Sequence, residues 1–182
     1  MSNLDTSKIK VKHELLEKNT FFNIKNILYS NTFDWYLCEC IYSSPEYANS
    51  FISVCDDIDN YIFSKTLYDN DSVTGNIYHY EQIILPFYSL LNIKSLIRAR
   101  VTFCPRNEKI VKHGLHIDHI NKDDSTTAVF YVNNNDGYTE FEDGSKFNSI
   151  ENSIITFPTY YQHTGTTCTN KSGRITINLN YY

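Results

Sequence analysis

A chain of 182 residues with 41% hydrophobic residues, including 15 Tyr and 11 Phe, can build a real core and is not a disordered sequence. Its formal net charge of -5 and pI near 5.6 gain little from counterion release, so nonspecific binding to nucleic acid is not expected. No apolar run approaches the roughly 20 residues of a membrane-spanning helix, and the first residues lack the charged and apolar regions of a signal peptide, so a cytoplasmic protein without a membrane partner is expected.

The absence of a repeat or a Pro/Gly/Ser-rich linker points to one domain, although composition shifts near residue 95. Before that point two stretches have helical spacing. Phe21, Phe22, Ile24, Ile27 and Leu28 follow Thr20, an expected N-cap. Tyr80, Ile83, Ile84, Phe87, Leu90 and Leu91 repeat the pattern around Pro86, which must kink that helix or delay its start. Between them, Phe33 to Tyr42 and Tyr61 to Leu67 read as strands, rich in aromatic and β-branched residues.

From residue 96 onward the chain reads as strands and turns. Leu96 to Cys104 is a strand stopped by Pro105, and Lys109 to His116 leads as an extended run into a His-x-Asp turn. Thr126 to Val132 precedes an Asn/Asp/Gly turn over residues 133–137. Tyr138 to Glu142, Lys146 to Ile150, Ser153 to Phe157 and Arg174 to Tyr182 complete the series. Short, regularly spaced strands with such turns indicate a mainly β sandwich or jelly roll. The last strand places Ile175, Ile177 and Leu179 on one face and Arg174, Thr176, Asn178 and Asn180 on the other. That pattern fits either an edge with a solvated polar face or a covered strand whose polar face lines a wet cavity.

The five cysteines, Cys38, Cys40, Cys55, Cys104 and Cys168, are odd in number and form no CxxC pair, so reduced thiols are expected rather than a zinc site. A different metal chemistry is suggested by His116 and Asp118, two apart and therefore on one side of an extended segment. With His163 they make two imidazoles and one carboxylate, the ligand set of non-haem Fe(II) oxygenases, which leaves metal positions open. His113 and His119 lie at odd offsets from His116 and read as second-layer or surface groups. Arg174 adds a planar cationic fork suited to a carboxylate.

The stretch from about Leu96 to Tyr182 resembles the Fe(II)/2-oxoglutarate-dependent dioxygenases, in particular the prolyl-4-hydroxylase-like branch and its short phage and viral members. The resemblance runs through Arg98-Ala99-Arg100, Pro105-Arg106, His113 to Asp118, Phe130-Tyr131-Val132-Asn133, Gly137 to Phe141, Phe157-Pro158, His163-Thr164-Gly165 and Arg174 to Asn178. A looser likeness covers Phe33 to Tyr36 and Tyr61 to Ser64. It implies a double-stranded β-helix (a cupin-like jelly roll, residues 96–182) with an α+β buttress over residues 1–95, its N-terminal helices packed on one sheet. It puts Fe(II) on His116, Asp118 and His163, and 2-oxoglutarate on Arg174, with Tyr131 at a position that often bonds the same carboxylate and Thr176 and Asn178 lining the pocket. Cys104 stands where some prolyl hydroxylases carry a Tyr that touches the cosubstrate. The implied activity is O2-dependent hydroxylation of an unidentified peptide or small molecule, such as a prolyl side chain, with release of succinate and CO2. Rival readings are a cupin-like isomerase or sugar-binding module, and a noncatalytic viral interaction protein.

Overall fold

The computed structural model describes residues 4–38, 60–118 and 124–182. The first strand, β1 (Lys10–Lys12), leads to α1 (Lys18–Leu28), whose stripe of Ile24, Ile27 and Leu28 is buried. Phe22, expected on that stripe, is 64% exposed, because it is one position round the helix from Phe21. Thr20 is not the N-cap either: the helix begins after Glu17 without a side-chain cap. Its entry is fixed by tertiary contacts instead. Leu15 and Leu16 are buried, and their N–H groups donate to the backbone and side-chain oxygens of Asn152.

Next come β2 (Tyr36–Cys38), β3 (Ile62–Asp69) and β4 (Ser72–Val73). Phe33 precedes β2 as a buried ring at 4.8 Å from Trp35; residues 39–42 of the expected strand lie outside the described residues. The second helical stretch is two helices, α2 (Ile77–Ile83), capped by the Asn76 side chain, and α3 (Pro86–Leu91). Pro86 takes the first turn of α3, where its missing N–H costs nothing.

The remaining strands are β5 (Leu96–Pro105), β6 (Thr126–Tyr131), β7 (Tyr138–Phe141), β8 (Lys146–Asn148), β9 (Ser153–Pro158), β10 (His163–Gly165) and β11 (Gly173–Tyr181). They form two antiparallel sheets: β1-β9-β6-β11-β5-β3-β2, with β4 beside β3, and β10-β7-β8. Lys109 to His116 makes no strand. Gly114 at φ 101° breaks the extended run, leaving only single bridges from Lys112 to Thr166 and from His116 to His163.

β11 lies between β5 and β6 and is no edge. Its Ile175, Ile177 and Leu179 join Ile24, Leu28, Ile83, Ile84 and Phe87 in the main core, so the helices cover one face of the large sheet. Each such side chain contributes roughly 1.5–3 kcal/mol when fully buried. On the opposite face, Val129, Tyr131, Ile155 and Phe157 pack with Phe141 and Tyr161. The polar residues of β11 therefore face inward, as the covered-strand reading requires. No helix among the described residues is long and apolar enough to cross a membrane.

Candidate metal centre and pocket

The bridge between His116 and His163 builds the centre. The His116 N–H donates to the His163 carbonyl at 2.9 Å and the reverse bond is 3.0 Å, which sets the two rings 4.7 Å apart. β10, a three-residue strand paired with β7, carries His163 to this point. The candidate ligand atoms of His116, Asp118 and His163 all lie within 4.8 Å of one another, the one such group among the described residues.

The hydrogen bonds around these side chains fix which atoms remain available. Nδ1 of His116 lies 3.2 Å from the Gly114 carbonyl, and Nδ1 of His163 lies 3.0 Å from the Tyr161 carbonyl. A carbonyl only accepts, so each Nδ1 carries the proton and each Nε2 keeps a free lone pair. Asp118 is divided in the same way. Its Oδ2 accepts from the Thr127 hydroxyl at 3.0 Å and from the Asn180 amide at 2.9 Å. Its Oδ1 is 3.7 Å from His116 Nε2 and 3.6 Å from an Arg98 nitrogen, too far for hydrogen bonds. Two imidazole lone pairs and one carboxylate oxygen thus converge, and this donor set fits a divalent first-row metal such as Fe(II).

Electrostatics favour the ligating forms. Burial alone would push the Asp118 carboxyl up, but His163, His116 and Arg98 and the Asn180 hydrogen bond outweigh it, and the group is held below the usual carboxylate range. Burial pulls the His163 imidazole down, against the opposing pull of the Asp118 carboxylate. His113, expected as a second-layer or surface group, is buried and lines the pocket. Its Nδ1 bonds Asn60 at 2.7 Å, its Nε2 has no partner among the described residues, and burial, Arg174 and His116 lower it to about 3. His119, Cys40 and Cys55 lie outside the described residues; Cys38, Cys104 and Cys168 are free thiols.

The metal group opens on a cavity of about 310 Å³ between the sheets, at the small end of the ~300–1,000 Å³ typical of ligand sites. Arg174, Thr176 and Asn178 line it, as do Cys104, Arg98 and Arg100. Arg174 is only 3% exposed. Its Nε donates to the Ser149 hydroxyl at 2.7 Å and one terminal nitrogen donates to the Thr139 hydroxyl at 3.0 Å. Its guanidinium lies 5.5 Å from the centre of the Tyr131 ring. Tyr131 is buried, and its hydroxyl donates to Thr139 at 3.0 Å, the same hydroxyl that accepts from Arg174. Burial raises the Cys104 thiol to about 11, so it stays protonated.

Two glycines make room for the Arg174 side chain. A Cβ at Gly137 would sit 2.7 Å from Arg174 Cδ and 2.7 Å from the Thr167 carbonyl, and one at Gly165 would sit 3.2 Å from an Arg174 nitrogen. Gly137→Ala is therefore expected to destabilise the fold by about 1–3 kcal/mol and to shift Arg174. Thermal melting and 2-oxoglutarate titration check this; wild-type values in both would mean that the close approach is unimportant. Thr127, Asn180, Thr139 and Ser149 carry supporting roles that sequence reasoning did not name. For Asn180 a signal existed, its place on the inward face of the last strand.

No protein-family model matches the chain, and no curated protein matches it in sequence. Solved structures do match in fold. A prolyl hydroxylase from Trichoplax adhaerens, in complex with a hypoxia-inducible factor oxygen-degradation-domain peptide fragment, superposes with a TM-score of 0.64 at 15% identity, over 98% of this chain and 85% of that one. A viral collagen prolyl hydroxylase from Paramecium bursaria Chlorella virus-1, in complex with 2-oxoglutarate, gives 0.56 at 12% identity, over 96% and 95%. A 2-oxoglutarate-Fe(II) oxygenase-family oxidoreductase from Burkholderia pseudomallei gives 0.57 at 8% identity, over 98% and 87%. The fold is thus the jelly roll of the 2-oxoglutarate oxygenases, as the sequence resemblance implied.

Proposed function

We propose that the chain is an Fe(II)- and 2-oxoglutarate-dependent dioxygenase, with residues 1–95 buttressing a jelly-roll core of residues 96–182 in one domain. The observation that carries this reading is a pairing. A group of two imidazoles and one carboxylate converges at one place in the cavity. Elsewhere in the same cavity lies a buried guanidinium that no carboxylate of the described residues pairs with.

His116, Asp118 and His163 would hold Fe(II), and Arg174 would hold the far carboxylate of 2-oxoglutarate. When bound, the iron and its cosubstrate supply the oxidative chemistry: O2 is consumed, 2-oxoglutarate is converted to succinate and CO2, and one oxygen atom enters a substrate C–H bond. The protein's part is position and dryness. Thr127 and Asn180 hold one oxygen of Asp118 so that the other faces the ligand position. The Gly114 and Tyr161 carbonyls orient the two imidazoles. Thr139, Ser149 and Tyr131 fix the guanidinium before the dicarboxylate arrives, which lowers the cost of ordering it. Thr176 and Asn178 line the space between.

The substrate would be a peptide or small molecule, and the peptide-bound Trichoplax relative supports a protein side chain such as proline. A turnover screen with Fe(II), O2 and 2-oxoglutarate against peptide, amino-acid and nucleotide pools tests the reading. The expected result is succinate release coupled to the mass gain of one oxygen atom in one pool. Bound metal without succinate release would favour a non-oxygenase jelly roll instead.

A further inference from the structure

We propose that Arg98 and Arg100 form a second anion site in the pocket, and that the primary substrate presents a carboxylate or phosphate group to it. This rests on the reading above in one respect: 2-oxoglutarate occupies Arg174.

β5 alternates so that Arg98, Arg100, Thr102 and Cys104 all line the cavity. Its partner β11 pairs Arg174 with Cys104, Thr176 with Thr102, Asn178 with Arg100 and Asn180 with Arg98. The ladder therefore holds one cation at one end and two at the other, with an uncharged Thr–Thr rung between. The four-residue offset from Arg174 to Asn178 spans ~13 Å of strand, at about 3.3 Å per residue.

Among the described residues, neither guanidinium makes a hydrogen bond to a carboxylate. Arg100 donates to the Ser64 hydroxyl at 2.7 Å and approaches the Cys38 sulfur at 3.6 Å, both uncharged partners. Arg98 has Asp118 at 3.6 Å, longer than a hydrogen bond. The Nε of each is buried and has no hydrogen-bond partner among the described residues. A buried guanidinium N–H without an acceptor is costly, and an oxyanion answers its fork with two oxygens.

Charge balance points the same way. Among the described residues, the cavity lining contains three guanidinium groups against one carboxylate, Asp118. A divalent ion adds two positive charges and a dicarboxylate removes two, so the excess survives cosubstrate binding. Because Arg98 is beside Asp118, an anion there would lie close to the metal group. The substrate's oxidised carbon is then only a few bonds from its charge, as in an acidic amino-acid side chain or a phosphorylated one. A prolyl substrate would bring such an anion only from a neighbouring residue of its peptide.

The test uses protein loaded with Mn(II) and saturated with 2-oxoglutarate under nitrogen. It is titrated calorimetrically with N-acetyl-aspartate methylamide, the asparagine equivalent, the phosphoserine equivalent and a blocked proline. An anionic probe is expected to bind tighter than the neutral ones by about tenfold or more, the effect of one charge-assisted hydrogen bond. Which anion binds better identifies the oxyanion. In Arg98→Gln/Arg100→Gln the preference should vanish while 2-oxoglutarate affinity and melting temperature hold. Arg98→Gln alone, at a side chain only partly buried, should reduce it and serves if the double variant does not fold. Equal binding of charged and neutral probes, a preference that survives substitution, or loss of 2-oxoglutarate affinity together with it would overturn the proposal. If 2-oxoglutarate fails to bind wild-type protein, the dioxygenase reading is what fails. The probes are then titrated without it, and the same preference decides the Arg98/Arg100 site.

Discussion

Asp118→Ala is expected to abolish Fe(II)-dependent turnover of 2-oxoglutarate and to lower metal affinity by more than ~100-fold, the upper range for loss of a mere outer-layer partner. Asp118 is the one anionic ligand of its group, and its free oxygen faces the same point as the two Nε2 lone pairs. The substitution also strands the Asn180 amide and the Thr127 hydroxyl, which donate to the other oxygen. An orphaned buried donor costs about 1–3 kcal/mol, so a lost fold must be told apart from a lost ligand. Asp118→Asn does this. It keeps the shape and one acceptor oxygen but removes the charge, so it should fold and still bind metal poorly. Equilibrium dialysis against Fe(II) under nitrogen reads the affinity, and succinate release reads turnover. Wild-type turnover in Asp118→Ala would remove the residue from the metal group.

Arg174→Ala should weaken 2-oxoglutarate by roughly 30-fold to a few thousand-fold, the equivalent of about 2–5 kcal/mol for one partner of a buried charge pair. Metal affinity should hold, because Arg174 is braced by Ser149, Thr139 and Tyr131 rather than by the ligand residues. Stability separates this role from a structural one. A buried cation with no carboxylate partner among the described residues is a cost to the empty protein, which an apolar side chain of similar length would relieve. Arg174→Met should therefore leave the melting temperature of the metal-free, cosubstrate-free protein unchanged or raise it, while 2-oxoglutarate no longer stabilises the metal-loaded form. A large drop in that melting temperature with unchanged cosubstrate affinity would make Arg174 a packing residue.

Several of these features are readable from the chain because they depend on short-range geometry. Strand alternation places Arg174, Thr176 and Asn178 on the face opposite Ile175, Ile177 and Leu179, and the fold keeps that division. The missing N–H of Pro86 divides the second helical stretch at the residue where α3 begins. What sequence could not supply was set by contacts distant in the chain. Asn152 anchors Leu15 and Leu16 and so moves the start of α1 ahead of Thr20. His113, unremarkable by offset, is buried because Asn60, 53 residues away, receives its ring N–H. Thr127 and Asn180 become supports of Asp118 only when β6 and β11 pair. β1 has no burial pattern of its own and forms by pairing with β9.

The central claim is that one cavity joins Fe(II) to 2-oxoglutarate. Anaerobic titration of the Fe(II)-loaded protein with 2-oxoglutarate, followed by the visible charge-transfer absorption of an iron-bound 2-oxo acid, tests it most directly. A saturable band should grow in wild-type protein, disappear in Asp118→Ala and require far more 2-oxoglutarate in Arg174→Ala. Wild-type protein that binds Fe(II) but develops no band at any 2-oxoglutarate concentration would contradict it.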